Sequence, residues 1–342
     1  MEKITIKDVA KEAGVSVSTV SRALSKPENV KKEYVKKVLK AVEKLNYTPS
    51  IIAQNLKGRL NNIGIILNAS TDESFLSPYL SEVLRGIMTV TQEKHYFIQL
   101  LSCDRDEENT KELISLYKSG RVDGFILLSS KLEDMFIKSF VENNIKFIIN
   151  GNVYDENLLD KVYTVDTLNE EDSFLAVSYL LKLGHRKIAM INSSTEYTVN
   201  YERYMGYKRA LKEYNEPEDK DIVLETGDDI ENIKSVVRSL LLKRTDITAI
   251  FCKNDIKARI VMNVADELGI KIPEELSIVG HNNTYLSEIA KPKLTTVRVP
   301  IYEMGRELAK GIVSLINKEP FEKRIIFDTE LQLKESCAKL EK

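Results

Sequence analysis

Residues 15–24 read VSVSTVSRAL, and the hydroxyl groups and single guanidinium in this stretch are spaced so that backbone conformation decides their chemistry. Valine alternating with hydroxyl residues, rich in β-branching, favours a strand by propensity. A strand would scatter Arg22 and the serines over both faces. On a helix, Ser18, Ser21, Arg22 and Ser25 share one arc of about 100°, while Val20 and Leu24 lie opposite and Val17 sits at the boundary. A small hydroxyl-bearing face with one arginine can approach a DNA groove closely, and Arg22 can make a bidentate contact to guanine. The competing reading is an ordinary solvated helix face.

The flanking residues favour the helix. Ser16 is a good N-cap, and Gly14 supplies a turn from a preceding helix. That earlier helix is announced by Thr5-Ile6-Lys7-Asp8, which has the form of a capping box, and by Ile6, Val9, Ala10 and Ala13 on one face. Residues 31–46 place Tyr34, Val35, Val38, Leu39, Val42 and Leu45 at helical spacing, and Pro49 ends the unit. The stretch 50–60, SIIAQNLKGRL, could be capped by Ser50 and ended by Gly58. It is too short to hold a helix alone, so order on binding is expected.

Charge separates this head from the rest. Residues 1–60 hold 13 Lys+Arg and 6 Asp+Glu, whereas the 342-residue chain as a whole has 50 and 52, for a net charge of −2. A basic head on an acidic body suggests that only the head meets a polyanion, although a solvated lysine-rich helix would look the same by charge alone.

From Asn62 onward, nine strand-like apolar runs, NIGIIL to LSIVG, alternate with eight helical patterns, which predicts βαβ units and parallel sheets covered on both faces. That length of alternation exceeds one ordinary open sheet and predicts two lobes with a cleft. The expected fold class is therefore α/β, an all-α helix-turn-helix headpiece followed by a two-lobed core. Cys103, Cys252 and Cys337 have no metal-ligand spacing and are read as reduced thiols. The charged N-terminus has no apolar signal core, so a cytoplasmic protein is expected. No P-loop, dinucleotide fingerprint, HExxH or GxSxG occurs, and His95, His185 and His281 fall in separate segments, so catalysis, metal and cofactor are not expected.

TIKDVAKEAGVSVSTVSRALSKPENVKKEYVKKVLKAVEKLNYTPS resembles the headpiece of lactose-repressor-type (LacI/GalR) transcription regulators. PYLSEVLRGI, RVDGFILL, YLLKLGHRKIAMI, ERYMGYKRAL, KNDIKA, IPEELSIVGHNN and PKLTTVRVPIYEMGRELA are similar to landmarks of that family, in its order. The resemblance implies a DNA-binding domain at 1–49, a hinge helix at 50–60, and a core like periplasmic sugar-binding proteins. Its lobes would be 61–162 with 297–320 and 163–296 with 321–342, joined by three crossings. It also implies a homodimer, or a tetramer of paired dimers, on a pseudo-palindromic operator.

By this resemblance, Val17, Ser18 and Arg22 read bases, Ser16, Thr19 and Ser21 lie nearer phosphates, and Thr5, Asn29 and Tyr47 join the same DNA-facing set. Ala53 and Leu56 carry the hinge, with Leu56 as a minor-groove wedge; the alternative for Leu56 is a buried linker residue. Ser50 stands where the family usually has Asn.

The effector cleft would use Arg203, Asn254 and Asn282, with Ser70, Phe75, Tyr79 and Tyr197 as aromatic platform and hydroxyl partners. Asn282 replaces a usual Asp, which suits a neutral polyol and argues against a cationic ligand. Phe75 and Tyr79 could instead be packing residues, and Arg203 a structural partner of Glu202 or Glu196. Several stretches look most like the maltose and maltodextrin branch. The expectation is a repressor of a carbohydrate-utilisation operon controlled by a small sugar. Its rivals are a sugar-binding transport component, which would need a secretion signal, and a sugar-modifying enzyme, which would need acid/base groups in the cleft.

Overall fold

The computed structural model describes residues 4–25, 27–45, 47, 61–67, 77–227 and 229–340. Two compact units emerge, the N-terminal head and the core, and each is described by itself.

In the head, α1 (Ile6–Ala13), α2 (Val17–Ser25) and α3 (Lys32–Lys44) surround a small core of Val9, Ala10, Ala13, Val20, Ala23, Val38, Ala41 and Tyr47. VSVSTVSRAL is thus helical beyond its first two residues. Burying Val20 and Ala23 against two other helices outweighs the local strand preference. Gly14 ends α1 at φ +64, a left-handed conformation that costs a glycine little.

The core contains two six-stranded sheets. The first holds β1 (Asn62–Leu67), β2 (Phe97–Ser102), β3 (Gly124–Leu127), β4 (Phe147–Asn150), β5 (Thr164–Thr167) and β11 (Arg324–Phe327), in the order β11-β5-β4-β3-β1-β2. The second holds β6 (Ile188–Asn192), β7 (Val223–Glu225), β8 (Ala249–Cys252), β9 (Ser277–Asn282), β10 (Thr295–Arg298) and β12 (Glu330–Gln332), in the order β12-β10-β9-β8-β6-β7. Pairing is parallel between β10 and β9 but antiparallel between β10 and β12. Central strands such as β3, β4, β6 and β8 are buried along their whole length, as expected for sheets covered on both faces.

The core helices are α4 (Pro78–Glu93), α5 (Glu107–Lys118), α6 (Met135–Glu142), α7 (Asn169–Lys182), α8 (Thr198–Glu213), α9 (Ile230–Lys243), α10 (Asp255–Glu267), α11 (Tyr285–Ile289) and α12 (Ile301–Asn317). Helix α8 packs on α7 through Gly206, where an added Cβ would stand 2.1 Å from the Glu170 carbonyl oxygen. No helix among the described residues is long and apolar enough to cross a membrane.

The lobe boundaries differ from those expected after residues 162, 296 and 320. Strand β5 pairs with β4 and β11 in the first sheet, and β10 with β9 in the second. The crossings therefore follow Thr167, Arg298 and Phe327. Strand β5 overlaps an expected apolar run, but β10 and β11 are four residues long and mix polar with apolar side chains, so pairing with distant partners and not periodicity places them.

Candidate functional site

In the head, Ser16 Oγ accepts the backbone N–H of Thr19 at 3.1 Å and lies 2.8 Å from the hydroxyls of Ser18 and Thr19. The cap fixes the first turn of α2 and leaves Val17, Ser18 and Arg22 exposed on one face, with Thr19 and Ser21 half-buried beside them. Asn29 is exposed after the turn. Two residues of the expected DNA-facing set also serve the structure of the head itself. The Thr5 amide and hydroxyl both donate to Asp8 Oδ2, at 2.8 and 2.7 Å, so this residue caps α1, and those bonds hold the Asp8 carboxyl below its usual range. Tyr47 is only 7% exposed and packs in the head core, its amide donating to the Val42 carbonyl at 3.0 Å. Ala53 and Leu56 lie outside the described residues.

The core carries a cavity of about 250 Å³ where the C-terminal ends of both sheets converge. Such ends are where open α/β sheets bind ligands, since the loops that follow each strand leave a crevice there. Tyr79, Arg203, Asn254 and Asn282 all line it, so residues 203 positions apart in sequence meet in one site. Ser70 and Phe75 lie outside the described residues. The lining also includes Asn150, Asp166, Asn169, Asn200, Lys253 and Lys257, which sequence reasoning missed.

Each polar group is held from behind. Asn150 Nδ2 donates to Tyr79 Oη at 2.6 Å, and burial pushes the Tyr79 phenol up to about 12. Asn254 caps α10 by accepting the Lys257 amide at 2.9 Å. Arg203 is 7% exposed; its Nε and Nη2 donate to Asn169 Oδ1 at 3.3 and 3.2 Å, and Nη1 donates to the Lys253 carbonyl. Burial lowers its affinity for a proton, against the pull of Asp172 and the other acids nearby.

Arg203 makes no ion pair with a carboxylate among the described residues, which removes the reading of it as a partner of Glu202 or Glu196. Glu202 accepts from Asn152 (3.0 Å), Tyr154 (3.1 Å) and Asn169 (3.2 Å), and burial pushes its carboxyl up despite those bonds. Glu196 pairs with Lys131 at 2.9 Å. His281 is buried, with Nδ1 3.1 Å from Asn282 Oδ1 and Nε2 3.6 Å from Asp172 Oδ2.

Residues 130–132 of the first lobe meet 196–198 of the second at the cavity rim. Thr198 N–H donates to the Ser130 carbonyl at 3.0 Å and Leu132 N–H to the Glu196 carbonyl at 2.8 Å, flanking an antiparallel bridge between Lys131 and Tyr197. The Ser130 and Thr198 hydroxyls lie 2.8 Å apart. Gly151 lies beneath this contact, where a Cβ would come within 2.9 Å of Ser130 Oγ. Tyr197 is accordingly a rim residue and does not line the cavity. Its ring lies 5.2 Å from Lys131 Nζ and 5.8 Å from the Arg105 guanidinium. Arg105 is anchored in turn by a buried pair with Asp134 at 2.7 Å and by the Ser129 carbonyl at 2.7 Å.

Among the described residues no cluster of three or more His, Cys, Asp or Glu could hold a metal ion, and the three cysteines are free.

Residues 5–50 match the description "Bacterial regulatory proteins, lacI family", and residues 177–337 match "Periplasmic binding protein-like domain". The chain is 32% identical over 323 residues, 94% of each chain, to the HTH-type transcriptional repressor PurR of Vibrio atlanticus (strain LGP32). It is 32% identical to the ribose operon repressor of Halalkalibacterium halodurans, covering 93% of this chain and 92% of that one. Among solved structures, a transcriptional regulator CelR–cellobiose complex superposes with a TM-score of 0.73 at 26% identity, covering 97% of this chain and 99% of that one.

Proposed function

The chain belongs to the lacI family of bacterial regulatory proteins, DNA-binding transcriptional repressors with a ligand-binding core and not enzymes, and on that premise we propose that it represses a carbohydrate-utilisation operon under control of a sugar. One observation carries the sugar reading: five asparagines, Asn150, Asn169, Asn200, Asn254 and Asn282, line the inter-lobe cavity. Amides both donate and accept, as sugar hydroxyls do, and they bring no charge. Relatives named for ribose and cellobiose support the same class. A maltodextrin is the finer assignment, motivated by the likeness of the first-lobe stretches to that branch.

In this reading a homodimer acts in the cytoplasm on a pseudo-palindromic operator, with Val17, Ser18 and Arg22 at the base edges of the major groove. The core has two lobe arrangements, the sugar prefers one, and the segment around Ala53 and Leu56 engages DNA only in the other. Coupling is then the difference in the sugar's affinity for the two arrangements.

The test is a thermal-shift panel of mono- and oligosaccharides on the full chain, repeated with duplex DNA carrying a symmetric site, with size measured by light scattering. A sugar that raises the melting temperature and changes DNA affinity is the expected result. A panel without a shift removes the sugar, and a monomer on DNA removes the dimer.

A further inference from the structure

We propose that Asp166 is the specificity-determining acceptor of the cavity, reading the effector's hydroxyl groups and selecting a neutral polyol over deoxygenated or anionic analogues. The proposal rests on the cavity being the effector site.

Asp166 is the penultimate residue of strand β5 and is the one acidic residue among the described lining residues. It is 7% exposed. Its Oδ1 accepts the Thr167 amide at 2.8 Å and Asn169 Nδ2 at 3.0 Å, while Oδ2 has no hydrogen-bond partner among the described residues. A carboxylate oxygen that no described donor reaches, on a residue this deeply set in the cavity lining, gains a hydrogen bond from a ligand hydroxyl that enters the cavity.

The cations nearby do not fill that role and do not demand an anion. Arg203 is committed to Asn169 Oδ1 and the Lys253 carbonyl. Lys257 Nζ donates to Thr226 Oγ1 at 2.7 Å and to the Gly227 carbonyl at 2.6 Å. Together they disfavour a cationic ligand, and Asp166 disfavours an anionic one. A hydroxyl group satisfies both, donating to Asp166 and accepting from the amide side chains around it.

The same burial makes the acceptor sensitive to acidity. Burial, with Glu202 on α8 adding to it, pushes the Asp166 carboxyl up to about 7. The other charged or titratable groups facing it are Arg203 on α8, Tyr79 on α4, Lys253 after β8 and Lys257 on α10. Below that pH Asp166 is protonated and loses its acceptor strength, so affinity falls as pH falls through about 7. If only the ionised form binds, affinity rises about tenfold from about pH 6 to about pH 8.

Calorimetric titration of the full chain with maltose, cellobiose and ribose tests this, using wild type and Asp166→Asn at both pH values. Asparagine keeps the Oδ1 acceptor for Thr167, and a melting curve shows whether the variant is folded. The expected result is a wild-type affinity that follows pH, and a variant that binds about 10- to 100-fold more weakly near pH 8 with no pH dependence. A variant within about threefold of wild type, or one that melts lower yet keeps the wild-type pH dependence, overturns the assignment while the sugar reading stands. No heat with any of the three sugars instead overturns the sugar reading on which the proposal depends.

Discussion

Asp134 should be among the costliest single side chains to remove. It is 4% exposed, and its carboxylate accepts four hydrogen bonds. Oδ1 takes the amides of Phe136 and Ile137, at 3.0 and 3.3 Å, capping α6. Oδ2 takes the amide of Lys131 at 3.0 Å and Nε of Arg105 at 2.7 Å. Losing a cap costs about 0.5–2 kcal/mol. Stranding a buried partner charge costs about 3–5 kcal/mol, and Arg105 is nearly as buried as Asp134. Because one carboxylate does both jobs, the terms overlap, and Asp134→Ala should cost about 4–6 kcal/mol. Asp134→Asn keeps the cap acceptor and should lose about half as much. In a domain of this size each kcal/mol lowers Tm by about 2–4 °C, so the alanine variant should melt at least about 8 °C below wild type. Circular dichroism melts checked by calorimetry measure this. An alanine variant within about 2 °C of wild type would refute the reasoning, because Arg105 would then need another counter-charge or access to water.

Other perturbations separate the parts of the molecule. Arg22→Ala should cost about 1–3 kcal/mol of operator affinity and relax specificity at one base pair; a band-shift series with equal loss on every sequence would assign Arg22 to phosphate. Arg203→Ala should leave operator affinity intact and abolish the effector response, and a titration with retained response removes Arg203 from the site. Gly206→Ala should destabilise by about 1–3 kcal/mol or more in a denaturant melt, since backbone and not a yielding side chain blocks the new Cβ. Lys131→Ala should change stability by less than about 1 kcal/mol, because the pair it makes with Glu196 is largely solvated on the Glu196 side.

The elements that were legible in the sequence are those whose apolar runs are long enough to show a period. Strands β1 to β9 and the longer core helices fall where their hydrophobic runs lie. Strands β10 to β12 were missed because they are three or four residues long and defined by partners far along the chain. In the head, strand propensity at VSVSTVSRAL pointed the wrong way, and the cap at Ser16 together with the apolar stripe through Val20 pointed the right way. In the cavity, Arg203, Asn254 and Asn282 were found through family motifs, whereas Asp166 was hidden inside the strand-like run KVYTVD. Its signal was position: an acid at the C-terminal end of a parallel strand faces the crevice. Lys253 and Lys257 flank Asn254 in KNDIKA, and the burial of Tyr47 depends on packing with residues of all three head helices, which no local pattern shows.

The seam formed by Ser130, Thr198 and their neighbours has a kinetic consequence. Its main-chain bonds already tie the two halves of the ligand chamber together. Lobe separation must break these bonds first, so an opening motion is slower the stronger the seam, and weakening the tie without touching the chamber walls should quicken it.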